Sequence, residues 1–89
     1  MAKFHFSLVS PERELYAGEV DQVDAPGAEG DFGVLEGHEP FMTTLRSGQV
    51  IVTVGGGARR VFEIQGGFAD VTPESFTLLA EHATEVAAV

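Results

Sequence analysis

The sequence contains no cysteine, so neither a disulfide framework nor a thiolate metal site can be built from it. It is poor in bases: five lysines and arginines stand against fourteen acids, a net charge of −9. Nucleic-acid phosphates and anionic headgroups would be repelled, which argues against both as direct partners and favours a basic protein surface. No apolar run approaches the ~20 residues that span a bilayer, so direct membrane insertion is not expected. Met1-Ala2-Lys3 leads into Phe4-His5-Phe6-Ser7, not into the ~7–15 residue apolar stretch of a signal peptide. The expectation is a cytosolic protein that nears a membrane only by holding something there. Internal repeats and low-complexity linkers are also missing.

What is present is one small domain. The 89 residues are 44% apolar and include seven phenylalanines, a composition that folds, although so short a chain has only a thin core. The apolar pattern has a period of two. Phe4, Phe6 and Leu8 share one face, and Lys3, His5 and Ser7 the other. Val50, Val52 and Val54 alternate with Gln49, Ile51 and Thr53, Phe62 and Ile64 with Glu63 and Gln65, and Phe76, Leu78 and Ala80 with Thr77, Leu79 and Glu81. Such runs suit a pleated surface. Turn chemistry separates them at Ser10-Pro11-Glu12, Gly55-Gly56-Gly57, Gly66-Gly67 and Thr72-Pro73-Glu74-Ser75. The spacing of runs and turns predicts an all-β sandwich or barrel. The tail from Glu81 to Val89 has helix formers for only two turns and reads as a frayed end or a stub.

The informative stretch runs from Ala25 to Pro40. Its glycines are spaced Gly-x-x-Gly-x-x-Gly with no lysine and no helix to follow, and Glu29 and Asp31 would repel phosphate, so it is not a nucleotide loop. Asp31, Glu36, His38 and Glu39 could supply hard metal ligands, yet they lack ligand-pair spacing; the plainer reading is a solvated acidic loop with a turn-stabilising histidine. There is no nucleophile elbow and no nucleophile–base pair, so no catalytic residue is assigned. Two readings remain open on pattern alone. In one, a rigid acidic loop on a β scaffold is a contact surface. In the other, the glycines only route the chain between sheets.

A longer motif carries more. Leu8-Val9-Ser10-Pro11-Glu12, Leu15-Tyr16-Ala17-Gly18, Pro26-Gly27-x-x-Gly30-x-x-Gly33-Val34-Leu35-x-Gly37-His38-x-Pro40, Leu45-x-x-Gly48 and Gly66-Gly67-Phe68-x-x-Val71 stand in order along residues 3 to 82. In these positions the sequence resembles the N-terminal domain of the epsilon subunit of bacterial F-type ATP synthases.

The resemblance implies a flattened β-sandwich of about ten short strands in two sheets over residues 1–82. It implies a non-catalytic rotor part without a cofactor, peripheral at the cytoplasmic face of the inner membrane, that links the gamma subunit to the membrane c-ring. By resemblance, Asp31, and less strongly Glu29, face the c-ring. His38, Phe41, Met42 and Thr43 face gamma, while Gly27, Gly30, Gly33, Gly37 and Pro40 shape the turns. Phe41 and Met42 are adjacent, so at least one points away from the core and is an interface anchor unless the strand lies between layers. Glycines 30, 33 and 37 are expected to permit close backbone approach, and a valine at 33 to harm folding or docking. The family's helical hairpin would begin in residues 83–89, and neither its inhibitory arm nor its nucleotide site is expected in this sequence. The remaining alternatives are a free-standing acidic adapter domain, and a small hydrolytic or ligand-binding protein using His38 with Glu36 or Glu39.

Overall fold

The computed structural model describes residues 3–35, 37 and 39–88. Each alternating run becomes a strand. The order is β1 (Phe4–Val9), β2 (Glu14–Val20), β3 (Gln22–Gly27), β4 (Gly30–Leu35), β5 (Phe41–Leu45), β6 (Gly48–Thr53), β7 (Arg59–Ile64), β8 (Gly67–Val71), β9 (Ser75–Ala80) and β10 (Ala83–Ala88), with a 3-10 turn at Gly55–Gly57. Pairing follows one path, β10-β7-β6-β3-β5-β8-β9-β1-β2, with β4 added on β3. At its middle the path narrows to a single pair, Gly27 with Leu45. Around that pair the ribbon doubles over into two halves, β4-β3-β6-β7-β10 and β5-β8-β9-β1-β2. The expected ten-stranded sandwich is therefore present, with β1 and β9 parallel and the other pairings antiparallel.

The inward residues are the ones the alternation selects. Phe4, Phe6, Leu8, Val50, Val52, Phe62, Ile64, Phe76 and Leu78 are fully buried, and Ala80 nearly so. Each such side chain contributes about 1.5–3 kcal/mol through the apolar area it removes from water. The aromatic core is edge-packed: Phe6 meets Phe76 at 5.2 Å between centroids and 88° between planes, a geometry favoured by the ring quadrupoles.

The tail departs from expectation. Residues 83–88 form β10, antiparallel to β7, rather than a frayed stub. Helix propensity is a weak prior, and an open strand edge on β7 outweighs it. Ala83 is buried in the core, and Glu85 forms a two-bond fork with Arg60 at 2.8 Å for each bond. The Arg60 guanidinium also lies over the Tyr16 ring of β2 at 5.0 Å. These three residues close the gap between the two end strands, β2 and β10, where no backbone ladder runs.

The fork also sets a pH dependence. The hydrogen bond from Arg60 holds the Glu85 carboxyl below its ordinary 4.5. A depressed carboxyl stabilises the fold above its unfolded value and loses that contribution as pH falls through its folded value. Glu85→Gln is therefore expected to lower the urea midpoint at pH 7, and the gap to the unsubstituted chain should narrow as the pH falls below the ordinary carboxyl value. A gap that stays equal as the pH falls would mean that the fork does not act through ionisation.

Candidate functional site

The β3–β4 hairpin turns on two residues, Ala28 and Glu29, between the paired Gly27 and Gly30. The β5–β6 turn, residues 46 and 47, lies against it. The Ala28 N–H donates to the Thr44 carbonyl and the Arg46 N–H to the Pro26 carbonyl, both at 3.0 Å. Together the two turns make one stiff tip that carries Glu29, Asp31, Arg46 and Ser47. Asp31 is exposed, and its carboxylate accepts a hydrogen bond from the Arg46 guanidinium. The acidic tip read from the sequence is thus partly neutralised from a turn fifteen residues away. Among the described residues, Glu29 has no ion-pair partner.

The glycines act differently from expectation. Gly33 is inside β4, not in a turn, and a Cβ there would stand 2.7 Å from the Asp24 carboxylate, which accepts from Gln22 Nε2 at 3.0 Å. Gly30 and Gly37 face open space and are required for their φ values of 140° and 81°. Close approach instead occurs at Gly27, where a Cβ would sit 2.5 Å from the Gly30 carbonyl oxygen and 2.9 Å from the Phe32 ring. Pro40 sits in the irregular segment before β5, outside an assigned turn.

The residues expected to face gamma do not form one cluster. Met42 points outward and is 64% exposed, whereas Phe41 and Thr43 lie on the inward side of β5, opposite Val71 and Ala69. Phe41 is still 39% exposed because it sits at the mouth of the sandwich, edge-on to Phe32 at 5.3 Å. Burial of both between layers is therefore ruled out. His38, like Glu36, lies outside the described residues. On the outward side of the same half-sheet, register aligns Phe68 of β8, Leu79 of β9 and Val9 of β1 in one row with Thr44 of β5; Met42 stands in the next row, opposite Asp70 and diagonal to Phe68. Sequence reasoning missed this apolar row because each member falls on the polar side of its own strand's alternation. Pairing across strands brings them together.

Two surfaces result, and one pair of strands separates them. β4 runs from Asp31 at the tip to Leu35, and β5 returns from Phe41 to Leu45 beside the tip. The acidic tip and the Phe41–Met42 end thus lie at opposite ends of strands about 13 Å long. A polar groove of about 490 Å³ between β6, β7 and β10 borders the tip through Ser47 and holds Gln49, Glu63, Gln65 and His82. Among the described residues, no three His, Asp or Glu side chains converge as metal ligands, and no helix is long and apolar enough to cross a membrane.

Residues 3–86 match the family described as ATP synthase, delta/epsilon chain, beta-sandwich domain. The chain belongs to that family. It is 70% identical over 87 residues to the ATP synthase epsilon chain of Caulobacter vibrioides, covering 98% of this chain and 100% of that one. Identity to the epsilon chain of Hyphomonas neptunium is 62%, over 91% of this chain and 60% of the relative. A chain in the cryo-EM structure of the Euglena gracilis mitochondrial ATP synthase OSCP/F1/c-ring superposes with a TM-score of 0.89 at 26% identity, over 96% of this chain and 54% of that one. A chain of the Tetrahymena thermophila mitochondrial ATP synthase central stalk and c-ring shares the fold, with a TM-score of 0.74 at 15% identity. Family membership gives the two ends of the epsilon-type sandwich a shared context, a rotary complex.

Proposed function

We propose that this chain is a non-catalytic component of the central stalk of a bacterial ATP synthase, peripheral to the membrane on its cytoplasmic side. Its β3–β4 tip, with Glu29 and Asp31, rests on the c-ring. Its far end and outward face, with Phe41 and Met42, grip the gamma subunit, and His38 and Thr43 are assigned to the same partner. Passing torque between the two requires a body that does not bend between its contacts. Strands cross-linked by backbone hydrogen bonds provide one.

The observation that carries this reading is the placement of a polar charged tip and an apolar end at opposite ends of the same two strands. Its support from kinship is the epsilon-chain family and a structural neighbour found in an assembly that contains a c-ring.

The test is recovery of the chain with its membrane fraction. Gamma and the c-ring are expected to co-purify with it, and capture of neither would overturn the reading. Affinity for isolated gamma should fall about threefold to tenfold between 50 and 500 mM salt and then level off, as screening removes the charge attraction and leaves the apolar contact. A salt-independent affinity would show that the acidic residues only solvate the domain.

A further inference from the structure

The tip carries a cation that the acidic sequence pattern conceals. Arg46 is anchored twice: its backbone N–H bonds the Pro26 carbonyl at 3.0 Å, and its guanidinium donates to Asp31. A third contact, from Nη1 to the Ser47 carbonyl at 3.4 Å, stays within its own turn. Both members of the ion pair are exposed, at 51% and 73% for the side chains of Arg46 and Asp31. An exposed pair of this kind contributes little to folding stability. It does fix two charged groups side by side on a tip already stiffened by backbone bonds. A guanidinium has five N–H donors. Among the described residues two are used within the chain, on Asp31 and Ser47, and the half-exposed side chain leaves the others for a partner that docks beside Asp31.

We infer that Arg46 is a second docking determinant of the tip, because it holds Asp31 in place and presents its own free donors next to it. The surface that meets the tip must then carry acceptors, carbonyl or carboxylate oxygens, as well as donors. A uniformly basic surface would satisfy Glu29 and Asp31 but would be repelled by Arg46. The inference rests on the reading of the tip as the ring-facing end, and it replaces a purely acidic contact with one of mixed sign.

The experiment titrates the chain, bound to its gamma partner, onto vesicles that contain the c-ring. Arg46→Gln, Asp31→Asn, the double variant and the charge exchange Asp31→Arg/Arg46→Asp are compared, and the melting temperature of each full chain is recorded. Each single variant should bind about threefold to fivefold more weakly. The double variant should lose less than the product of the two single losses, because the residues act as a unit. The exchange re-forms the internal pair with its signs reversed, so it should keep the melting temperature and fail to restore binding. Restoration by the exchange, wild-type binding by Arg46→Gln, or a sharp drop in melting temperature for Arg46→Gln would each overturn the inference by making the pair merely structural. If the unsubstituted chain binds gamma but never the ring-bearing vesicles, the ring-facing assignment itself falls.

Discussion

Gly67→Val is expected to remove about half of the folding free energy of the chain. Gly67 has φ of 152°, a conformation that side-chain-bearing residues rarely adopt. A Cβ there would overlap the Leu79 carbonyl oxygen and stand 3.0 Å from the Ala80 Cα. All these atoms are backbone, so no rotamer change relieves the clash. Nor can Gly67 shift, because it pairs with Leu45 on one side and Ala80 on the other. It opens β8 where the chain crosses from one half of the sandwich to the other. The backbone strain and the lost ladder bonds together cost about 3–5 kcal/mol, against a total of roughly 5–10 kcal/mol for a domain of this size. Gly33→Ala is the contrast. Its Cβ meets side-chain atoms alone, the Asp24 carboxylate at 2.7 Å and Gln22 Nε2 at 3.7 Å. The carboxylate can turn away at the expense of its bond from Gln22, so the cost should stay at about 1 kcal/mol, the worth of that bond. Urea midpoints of the two variants separate these outcomes. A Gly67→Val chain that melts with the unsubstituted protein would refute the strain argument.

That contrast marks what could be read from the sequence. Period-two patterning identified the inward residues of β1, β6, β7 and β9, because alternation follows directly from strand geometry. The turn glycines at 55–57 and 66–67 were legible for a similar reason: only glycine readily takes the positive φ found at Gly56, Gly57, Gly66 and Gly67. The reasons behind glycines 30 and 33 were not legible, since a conformational need and a close approach leave the same letter in the sequence. β10 was missed because its residues favour helix locally, and what makes them a strand is the open edge of β7 together with Arg60.

The site was legible in part. Asp31 and Glu29 were read as one acidic loop, whereas Glu29 is in the β3–β4 turn and Asp31 is already in β4, paired with Pro26. Arg46 escaped notice because the register between β3 and β5, which sets it beside Asp31, is a tertiary fact. The same limit hid the row formed by Phe68, Leu79 and Val9. No local window contains residues from three strands that meet only in the folded sheet.

Met42→Glu is expected to weaken binding to gamma by about 3 kcal/mol, roughly a hundredfold, while leaving the fold intact. Met42 is 64% exposed and faces away from the core, so the isolated chain has little to lose from a polar side chain there and should keep its melting temperature within a few degrees. If the outward face of β5, β8, β9 and β1 docks on gamma, the substitution removes a flexible apolar contact that adapts to a partner surface. It also presses a carboxylate against the partner beside Asp70, its direct cross-strand neighbour on β8, so like-charge repulsion adds to the cost of burial. Leu79→Glu, on the same face but one row over on a different strand, should act in the same direction, and Glu29→Gln at the far tip should leave gamma binding within about threefold. Direct titration of gamma with each chain tests the set. Equal affinity for Met42→Glu and the unsubstituted chain would move the gamma contact off this face and onto the mouth of the sandwich around Phe41.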